Sequence, residues 1–574
     1  MFMTFVILQP CCNDASCVDV CPVDCIHPTP DDPEFMKADM LHIDPDSCID
    51  CGACVDECPV DAIRADHELT AAQERYLAMN AGYFENRPQR STAYDARTPT
   101  WNAADVTGRR IAVVGSGPAA FYAATELASV SGVEVDIFDR LLTPYGLVRA
   151  GVAPDHPGTK AVTDLFRSVA GKKSVRVRFG VDIGTDISHE DLMEHYDAVI
   201  YATGAPDDRP LGIPGENLAG SHSAAEFVAW YNGNPDFANR TFDLSCERAV
   251  IVGNGNVALD IARVLSTPPA ALALTDIADH ALAALQQSCI REVVVLGRRA
   301  PAQAAFTNPE LISLIDSPEV DVFACAADVD TDAANPDIAE GQDASTRLTV
   351  ELVRELASRQ LPKDGDQPGS GDEQARNRIV LRFCLSPVNI SGNGSVSGLD
   401  LAHNVLTLDS NGVARAERTD HEETLETGLV IRSIGYRGRQ IAGVPFDSER
   451  GVIPNVHGRV TDESGEPIPG IYATGWIKRG PTGVIGTNKK CAADTVRCLL
   501  EDIAAGRLSR PPHDRENFER LMSEKAPDAL DFSDWNKIDK AEIAAGSAHG
   551  RPRVKFVEPD KMRATLTASP GDSS

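Results

Sequence analysis

Apolar residues along this chain fall into short unbroken runs, each closed by a glycine turn and followed by a stretch of helical period. IAVVGSGPAAFYAATELA predicts a buried strand, a tight turn and a helix over 111–128. VEVDIFD (133–139) is the next strand. A second such unit begins at AVIVGNGNVALDIARVL (249–265), with REVVVLGRR (291–299) as its following strand. VIYATGA (199–205) lies between the two, and further strands are expected near 379–385, 429–434 and 471–480. Alternating strand and helix predicts the α/β class with two Rossmann-like nucleotide-binding domains. Residues 1–66 break this pattern. They read as a small α+β module of short strands and turns, with too few apolar residues for a core of its own. Residues 67–108 start helical (HELTAAQERYLAMNAGYF), turn polar and Pro-containing, and read as a connector. The first nucleotide domain is expected to be discontinuous, from 109–205 and 425–574, and the second to span 206–424. The Asp-, Gly- and Pro-rich stretch 326–380 reads as an excursion around one helical piece, and 565–574 as a frayed tail.

Composition is ordinary for a globular chain of 574 residues, with 43% apolar residues, so several cores can be filled. The net charge of -31 argues against nucleic acid and against an anionic membrane surface. The first 66 residues hold 14 acidic and 2 basic side chains, a local charge of -12. An acidic electron carrier is steered toward basic docking surfaces, although the same charge also serves solubility. Nine of the fifteen cysteines precede residue 60, the usage of a metal module in a reducing compartment rather than of a disulfide scaffold. The N-terminus lacks the basic start of a signal peptide and no apolar run reaches 18 residues, so the expected location is cytoplasmic, without membrane insertion.

The cysteine spacing carries the most specific chemistry. Cys48, Cys51, Cys54 and Cys58-Pro59 follow the bacterial ferredoxin run, in which three thiolates hold one cluster and the fourth crosses to another. A zinc site uses two separated CxxC pairs instead. Cys11, Asp14, Cys17 and Cys21-Pro22 follow the same template with an acid in the second place. Cross-ligation assigns Cys48, Cys51, Cys54 and Cys21 to a [4Fe–4S] site. Cys11, Cys17 and Cys58 go to a second site, either [3Fe–4S] or [4Fe–4S] with Asp14 as fourth ligand. Cys12 and Cys25 are off-template and read as small residues beside the clusters. With so little apolar material, cluster binding is expected to supply much of this module's folding energy.

In the first nucleotide unit Gly115 permits the tight turn, Gly117 lets backbone approach a pyrophosphate, and Ala120 allows close packing of helix on sheet. Asp139 ends the next strand, where a carboxylate accepts from a ribose hydroxyl. In the second unit Gly253, Gly255 and Ala258 repeat the pattern, but the following strand ends in Gly297-Arg298-Arg299. Two guanidinium groups and no acid suit a 2′-phosphate, which points to NADP(H). Passing a hydride to one-electron iron–sulfur centres requires a converter between two-electron and one-electron chemistry. On that redox logic the first unit holds FAD.

The N-terminal segment resembles seven-iron ferredoxins, with a shorter first loop. From Arg110 to about residue 500, GSGPAAFYAA, TPYGLVRAGVAPDHPGTK (143–160), VIYATGA, GNGNVALDIARVL and GWIKRGPTGVIGTNK (475–489) resemble the adrenodoxin reductase-like ferredoxin–NADP reductases. With the cysteine module, the whole chain resembles the fused ferredoxin/ferredoxin–NADP reductases of mycobacteria. The resemblance implies that Ala120, Asp139, Leu147, Val181, Trp476 and the run Gly483, Val484, Ile485 hold FAD. It implies that Arg209, Asn254, Gly255, Asn256, Val257, Arg298, Arg299 and Glu310 meet NADP, with Gly483 near the nicotinamide. It places Asp155 and His156 near the reactive edge of the flavin, where His156 either handles a proton at N5 or orients. Two departures stand out: Asp139 replaces the family's usual Glu, and Trp476 stands where other flavin reductases carry an acid.

The expected activity is hydride transfer between NADPH and FAD and single-electron transfer between FAD and ferredoxin-type clusters, the chain's own or an external ferredoxin's. The alternative is an electron-wiring subunit of a larger oxidoreductase, like the small subunit of glutamate synthase. A flavin-dependent disulfide reductase is excluded because no CxxC lies in the reductase half. The basic run Lys172–Arg178 either docks an acidic ferredoxin or is a solvated strand face.

Overall fold

Glycine turns following fully apolar strands dictate parallel sheets covered on both faces, and the computed structural model of the protein has two of them. It describes residues 4–85, 101–329, 343–359, 376–410 and 412–567. Parts of the expected connector (86–100), excursion (330–342 and 360–375) and tail (568–574) lie outside the described residues.

The first sheet runs Asn455–Val456, Arg459–Thr461, Pro467–Ala473, Ala198–Tyr201, Arg110–Val114, Glu134–Asp139, Val175–Phe179. Its last five strands are parallel, with Val113 beside Ile137 on one side and Ile200 on the other. These positions are completely buried, which explains apolar runs without alternation. The second sheet is parallel throughout: Ser221–Ser223, Leu429–Arg432, Arg248–Val252, Glu292–Leu296, Asn377–Arg382, Val320–Ala324. Its second strand, Leu429–Arg432, follows both of its neighbours, Ser221–Ser223 and Arg248–Val252, far downstream in the chain, so the chain closes this sheet late. An antiparallel three-stranded ribbon (Leu385–Gly392, Val396–Leu408, Ala414–Glu426) stands beside it. The penultimate described helix, Phe532–Ser547, returns to the first sheet. There Trp535 is fully buried and Glu542 pairs with Arg149 at 2.6 Å. A buried chain of charges, Lys160–Asp276–Lys555 at 2.6 and 3.3 Å, fastens the two sheet domains together. Among the described residues no helix is long and apolar enough to cross a membrane.

The cysteine module is an internal duplication visible in its backbone. Left-handed residues recur at a constant offset of 37: Asn13 and Asp50, Ala15 and Gly52, Asp24 and Asp61. Each half places one short helix, Ser16–Asp19 or Ala53–Asp56, after its left-handed turn. The strands Phe5–Ile7 and Ile63–Ala65 pair antiparallel, as do Ile26–His27 and His42–Ile43.

The segment read as a connector does more than connect. Its helix Arg75–Phe84 packs on the module, burying Tyr76 and Met79 with Ile7, Phe35, Leu41 and Ile43. It thereby supplies apolar surface that residues 1–66 lack. Asn80 is 2% exposed and sews two strands together. Its Oδ1 accepts from the Ile7 and Ile43 N–H groups (3.2 and 2.9 Å), and its Nδ2 donates to the Ile7 and Tyr76 carbonyls (3.0 and 2.8 Å). Asn80→Ala strands these buried backbone groups without partners. We expect a loss of about 2–4 kcal/mol in module stability, read as a lower denaturant midpoint for the disappearance of cluster absorbance while the reductase half keeps its own midpoint.

Candidate functional site

The duplicated loops form two separate pockets, each lined by cysteines from both halves. One is lined by Cys48, Cys51, Cys54, Cys21 and Cys25 together with Phe5, Val23, Ile26, Ile43 and Ile49. The other is lined by Cys11, Cys17, Cys58, Cys12, Asn13 and Asp14 among Ile7, Leu41, Val60 and Ile63. Apart from Asn13, the walls otherwise consist of apolar side chains and backbone. Burial drives three of these thiols toward their neutral form: Cys11 and Cys54 are each pushed up to about 12, and Cys17 is raised as well, whereas the bond from the Cys25 thiol brings Cys21 down to about 6. Only a cationic partner makes thiolates comfortable here, so iron fits the donor set. Cys25 Sγ lies 3.4 Å from Cys21 Sγ, beside the first set rather than in the template position.

Asp14 occupies the backbone position equivalent to Cys51 and is 6% exposed, whereas Cys51 is exposed. Its carboxylate is already engaged. Oδ2 accepts from Ser16 Oγ at 2.6 Å, Oδ1 accepts from the Ser16 N–H at 3.3 Å, and Lys489 Nζ stands 3.9 Å away while donating to Ser16 Oγ. Lys489 belongs to the helix Thr487–Ala504 of the first nucleotide domain. Immediately before that helix, the Gly486 N–H donates to the Cys12 carbonyl at 2.7 Å. A Cβ at Gly486 would collide with the Asp14 nitrogen and the Cys12 carbonyl. The Asp14-side cavity therefore lies against the Gly483–Gly486 turn. The Cys48-side cavity faces outward, where Ile49 is 58% exposed.

That turn belongs to the first nucleotide site. Gly115, with φ of 104°, lies against the Ala202 carbonyl, 2.6 Å from where a Cβ would be. A Cβ at Gly117 would meet nothing within 4 Å, which leaves the open cradle a pyrophosphate needs. Asp139 Oδ2 accepts from the Ser116 N–H and Oγ at 2.8 and 2.6 Å, and Oδ1 accepts from the Leu141 N–H. Burial pushes the Asp139 carboxyl above the usual carboxylate range, making it a weaker acid despite those bonds. Leu147 follows Gly146, which packs on Gly117, and the Val181 N–H donates to the Asp139 carbonyl. Gly475 packs on Ala119, which brings Trp476 to the same turn. The Trp476 ring stacks 6.0 Å from Tyr436, and its N–H donates to the Thr482 carbonyl. Ala120, Asp139, Leu147, Val181, Trp476 and Gly483–Ile485 are thus gathered round one glycine turn.

The second site repeats the geometry. Gly253, with φ of 116°, lies against the Ser433 carbonyl, and a Cβ at Gly255 would meet open space. Asn254 packs under Gly297, and Asn256 Oδ1 accepts from the Thr307 N–H at 2.8 Å. The strand leaves its sheet at Leu296, so Arg298 and Arg299 lie beyond it, their carbonyls accepting from Asn404 Nδ2 and the Cys384 N–H. Neither guanidinium is paired with an acid among the described residues. Burial, then the charges of Arg298 and Arg415, make Arg299 a weaker base than usual, the mark of cations gathered without an anion. Arg209 is exposed and contacts the Tyr436 carbonyl at 3.5 Å, close to Gly435. Val257 begins the helix Asn256–Ser266.

Asp155, His156 and Glu310 meet between the two sites, organised by a residue that sequence reading passed over. Arg263 has a side chain only 5% exposed. It donates to Asp155 from Nε (2.6 Å), to Asp260 from Nη2 (2.7 Å), and its Nη2 stands 2.8 Å from His156 Nε2. His156, Asp260 and Glu310 lie close enough to suggest a metal centre, but the guanidinium already supplies the positive charge. Burial would push Asp155 up, yet Arg263 holds it below its usual range. Glu310 has less help: burial, then Asp260, raise it. Its Oε2 and Arg263 Nη1 are both buried, face each other at 3.9 Å and make no hydrogen bond. This unfilled polar pair suits an amide-bearing ligand. The signal for Arg263 was a charge on the apolar face of an otherwise aliphatic helix. Lys489 and Gly486 gave none, because their roles depend on a module 470 residues away. Of the basic run 172–178, Arg176 pairs with Glu134 and Arg178 with Glu519, so its strand face is consumed internally.

Comparison with known proteins returns the same two parts. Residues 109–295 match the pyridine nucleotide-disulphide oxidoreductase family, and residues 41–64 match the 4Fe-4S binding domain. The chain is 47% identical over 580 residues to the probable ferredoxin/ferredoxin–NADP reductase of Mycobacterium tuberculosis, covering 99% of this chain and 96% of that one. It is 39% identical over 457 residues to the mitochondrial NADPH:adrenodoxin oxidoreductase of Arabidopsis thaliana, covering 78% and 93%. The solved structure of Mycobacterium tuberculosis FprA in complex with NADPH matches at 42% identity with a TM-score of 0.74, covering 80% of this chain and 99% of that one.

Because Arg263 holds several acids in a buried space, Arg263→Met leaves them uncompensated. We expect a loss of about 3–5 kcal/mol in stability, checked by chemical denaturation, with the largest deficit at neutral pH and partial recovery on acidification as Asp155 and Glu310 protonate.

Proposed function

The chain belongs to the fused ferredoxin/ferredoxin–NADP reductases of adrenodoxin reductase type, and from that membership we propose how its residues divide the work. It is a ferredoxin–NADP(+) oxidoreductase that uses FAD, NADPH and iron–sulfur centres. A bound FAD supplies the exchange between a hydride pair and single electrons. The reading as a wiring subunit of a larger complex is not favoured.

Gly115, Gly117 and Ala120 cradle the FAD pyrophosphate, and Asp139 takes the ribose from a position already fixed by Ser116. Leu147, Val181, Trp476 and Gly483–Ile485 line the remainder. Asn254, Gly255, Asn256 and Val257 receive the pyrophosphate of NADP, Arg298 and Arg299 its 2′-phosphate, and Arg209 its outer edge. Arg263 Nη1 and Glu310 Oε2 offer a donor and an acceptor to the nicotinamide carboxamide. Asp155 keeps Arg263 in place, and His156 orients through the same guanidinium. Trp476, stacked on Tyr436, excludes water from the reacting face.

In the module, Cys21, Cys48, Cys51 and Cys54 hold a [4Fe–4S] cluster, and Cys11, Cys17 and Cys58 hold a second centre. Asp14, committed to Ser16 and beside Lys489, favours [3Fe–4S] there. The Asp14-side centre is the internal terminus of the flavin domain, and the outward Cys48-side centre serves an external one-electron protein such as a ferredoxin. The expected compartment is the reducing cytoplasm.

The observation that carries this reading is the 2.7 Å bond from the Gly486 N–H to the Cys12 carbonyl, which seats a metal loop on the flavin-side turn. Gly486→Ala forces that loop away without touching a cofactor ligand. In anaerobic rapid mixing with NADPH, the variant is expected to bleach its flavin absorbance at the parental rate and to reduce its iron–sulfur centres more slowly. Parental rates for both would overturn the reading.

A further inference from the structure

The module touches the nicotinamide end of the reductase as well as its flavin end. The chain leaves the strand Phe5–Ile7 through a tight turn closed by the Cys11 N–H donating to the Leu8 carbonyl at 3.0 Å. Gln9 and Pro10 form the tip of that turn. Pro10 seats on Gly158, where an added Cβ would come within 2.8 Å of Pro10 Cγ. Gly158 follows His156 by two residues in the first nucleotide domain. Gln9 reaches the other way, into the second nucleotide domain, and its Nε2 donates to Glu310 Oε1 at 3.2 Å. The turn is thus a wedge between the two domains that must jointly hold NADP.

Little besides Gln9 fixes the Glu310 side chain. Its backbone N–H caps on Thr307 Oγ1 at 3.5 Å, and its nearest cation, Arg263 Nη1, stands 3.9 Å from Oε2. Gln9 is the one side chain among the described residues that donates a hydrogen bond to this carboxylate. Tyr76, from the helix that completes the module's core, is buried, and burial first, with a smaller push from the Glu310 charge, holds its hydroxyl above the ordinary tyrosine range. An amide bonded to Oε1 selects one rotamer of the carboxylate. In that rotamer Oε2 is left buried and without a hydrogen bond, facing Arg263 Nη1.

We propose that Gln9 is a positioning residue for nicotinamide binding: a side chain of the iron–sulfur module, two residues from the ligand Cys11, that orients Glu310 across the module boundary. This rests on the reading above that Glu310 meets the nicotinamide. It makes the seating of the module a condition for a fully formed NADP site, so that the chain's two redox ends are mechanically connected by one hydrogen bond and one proline contact.

The test is a double-mutant cycle read by calorimetry on the oxidised holoprotein. Gln9→Met keeps the volume and removes the amide, and Glu310→Gln removes the charge it orients. The probes are NADP+ and 2′,5′-ADP, which lacks the nicotinamide. Gln9→Met is expected to weaken NADP+ about fivefold, the effect of one ordinary hydrogen bond, and to leave 2′,5′-ADP unchanged. In the Glu310→Gln background the same substitution is expected to add nothing, since a positioning role acts only through its target. Unchanged NADP+ affinity in Gln9→Met, an equal loss for both probes, or a fivefold loss that persists in the Glu310→Gln background overturns the inference. If Glu310→Gln alone leaves NADP+ affinity untouched, the placement of Glu310 at the nicotinamide fails instead. Should Gln9→Met lose iron, Gln9→Ala with parental iron content takes its place in the cycle.

Discussion

The structure depends on a cysteine loop lying flat against the Gly483–Gly486 turn of the first nucleotide domain, and that approach is possible because residue 486 has no side chain. The Gly486 N–H bonds the Cys12 carbonyl, and any Cβ there would occupy the space of the Asp14 backbone. Everything functional radiates from this contact. It puts Cys11, Cys12, Asp14 and Cys17 next to the helix that starts at Thr487, and that helix carries Lys489 to Ser16 and Asp14. On the reductase side it lies next to the glycine run that follows Trp476. On the module side the duplicated backbone then sends the Cys48 half outward. A small duplicated fold is a good device for this purpose, because its two halves present equivalent cavities to opposite surroundings.

A second constraint is the cost of gathering acids out of water. Asp155, Asp260 and Glu310 converge where the two nucleotide domains meet, and they can do so only around Arg263. Buried charge of this kind contributes little net stability compared with apolar packing. Its value lies in geometry. The guanidinium spends its Nε and Nη2 on Asp155 and Asp260 and leaves Nη1 facing Glu310 with a gap between them. The same economy recurs at the other domain boundary. There Asp276 is held low, at about 2, because burial is outweighed by Lys555 and Lys160. Polar latches join the domains, while the apolar cores lie within each.

Much of this was legible in the sequence, for reasons that can be named. The two parallel sheets announced themselves because strands buried on both faces must be apolar throughout, as at Ile111–Val114 and Val293–Leu296. The glycine turns were legible because φ of 104° and 116° at Gly115 and Gly253 admits few other residues. The cysteine spacing was legible because a cube of iron and sulfur dictates distances between its ligands. What escaped was whatever depends on distant partners. Residues 67–84 looked like the start of a connector because the apolar face of Arg75–Phe84 is short, and only the fold reveals that Asn80 and Tyr76 complete the module. Arg263 was hidden inside a motif read for its glycines. Gln9, Lys489 and Gly486 are ordinary residues until the module is docked.

The central claim is that the chain's own iron–sulfur module receives electrons internally, at the Asp14 side first. Rapid-freeze EPR of the oxidised, anaerobic protein mixed with one equivalent of NADPH tests it directly. The account predicts that the Asp14-side centre changes its signal before the Cys48-side centre, at a rate independent of protein concentration. Prior reduction of the Cys48-side centre, or a rate that rises in proportion to protein concentration, would contradict it.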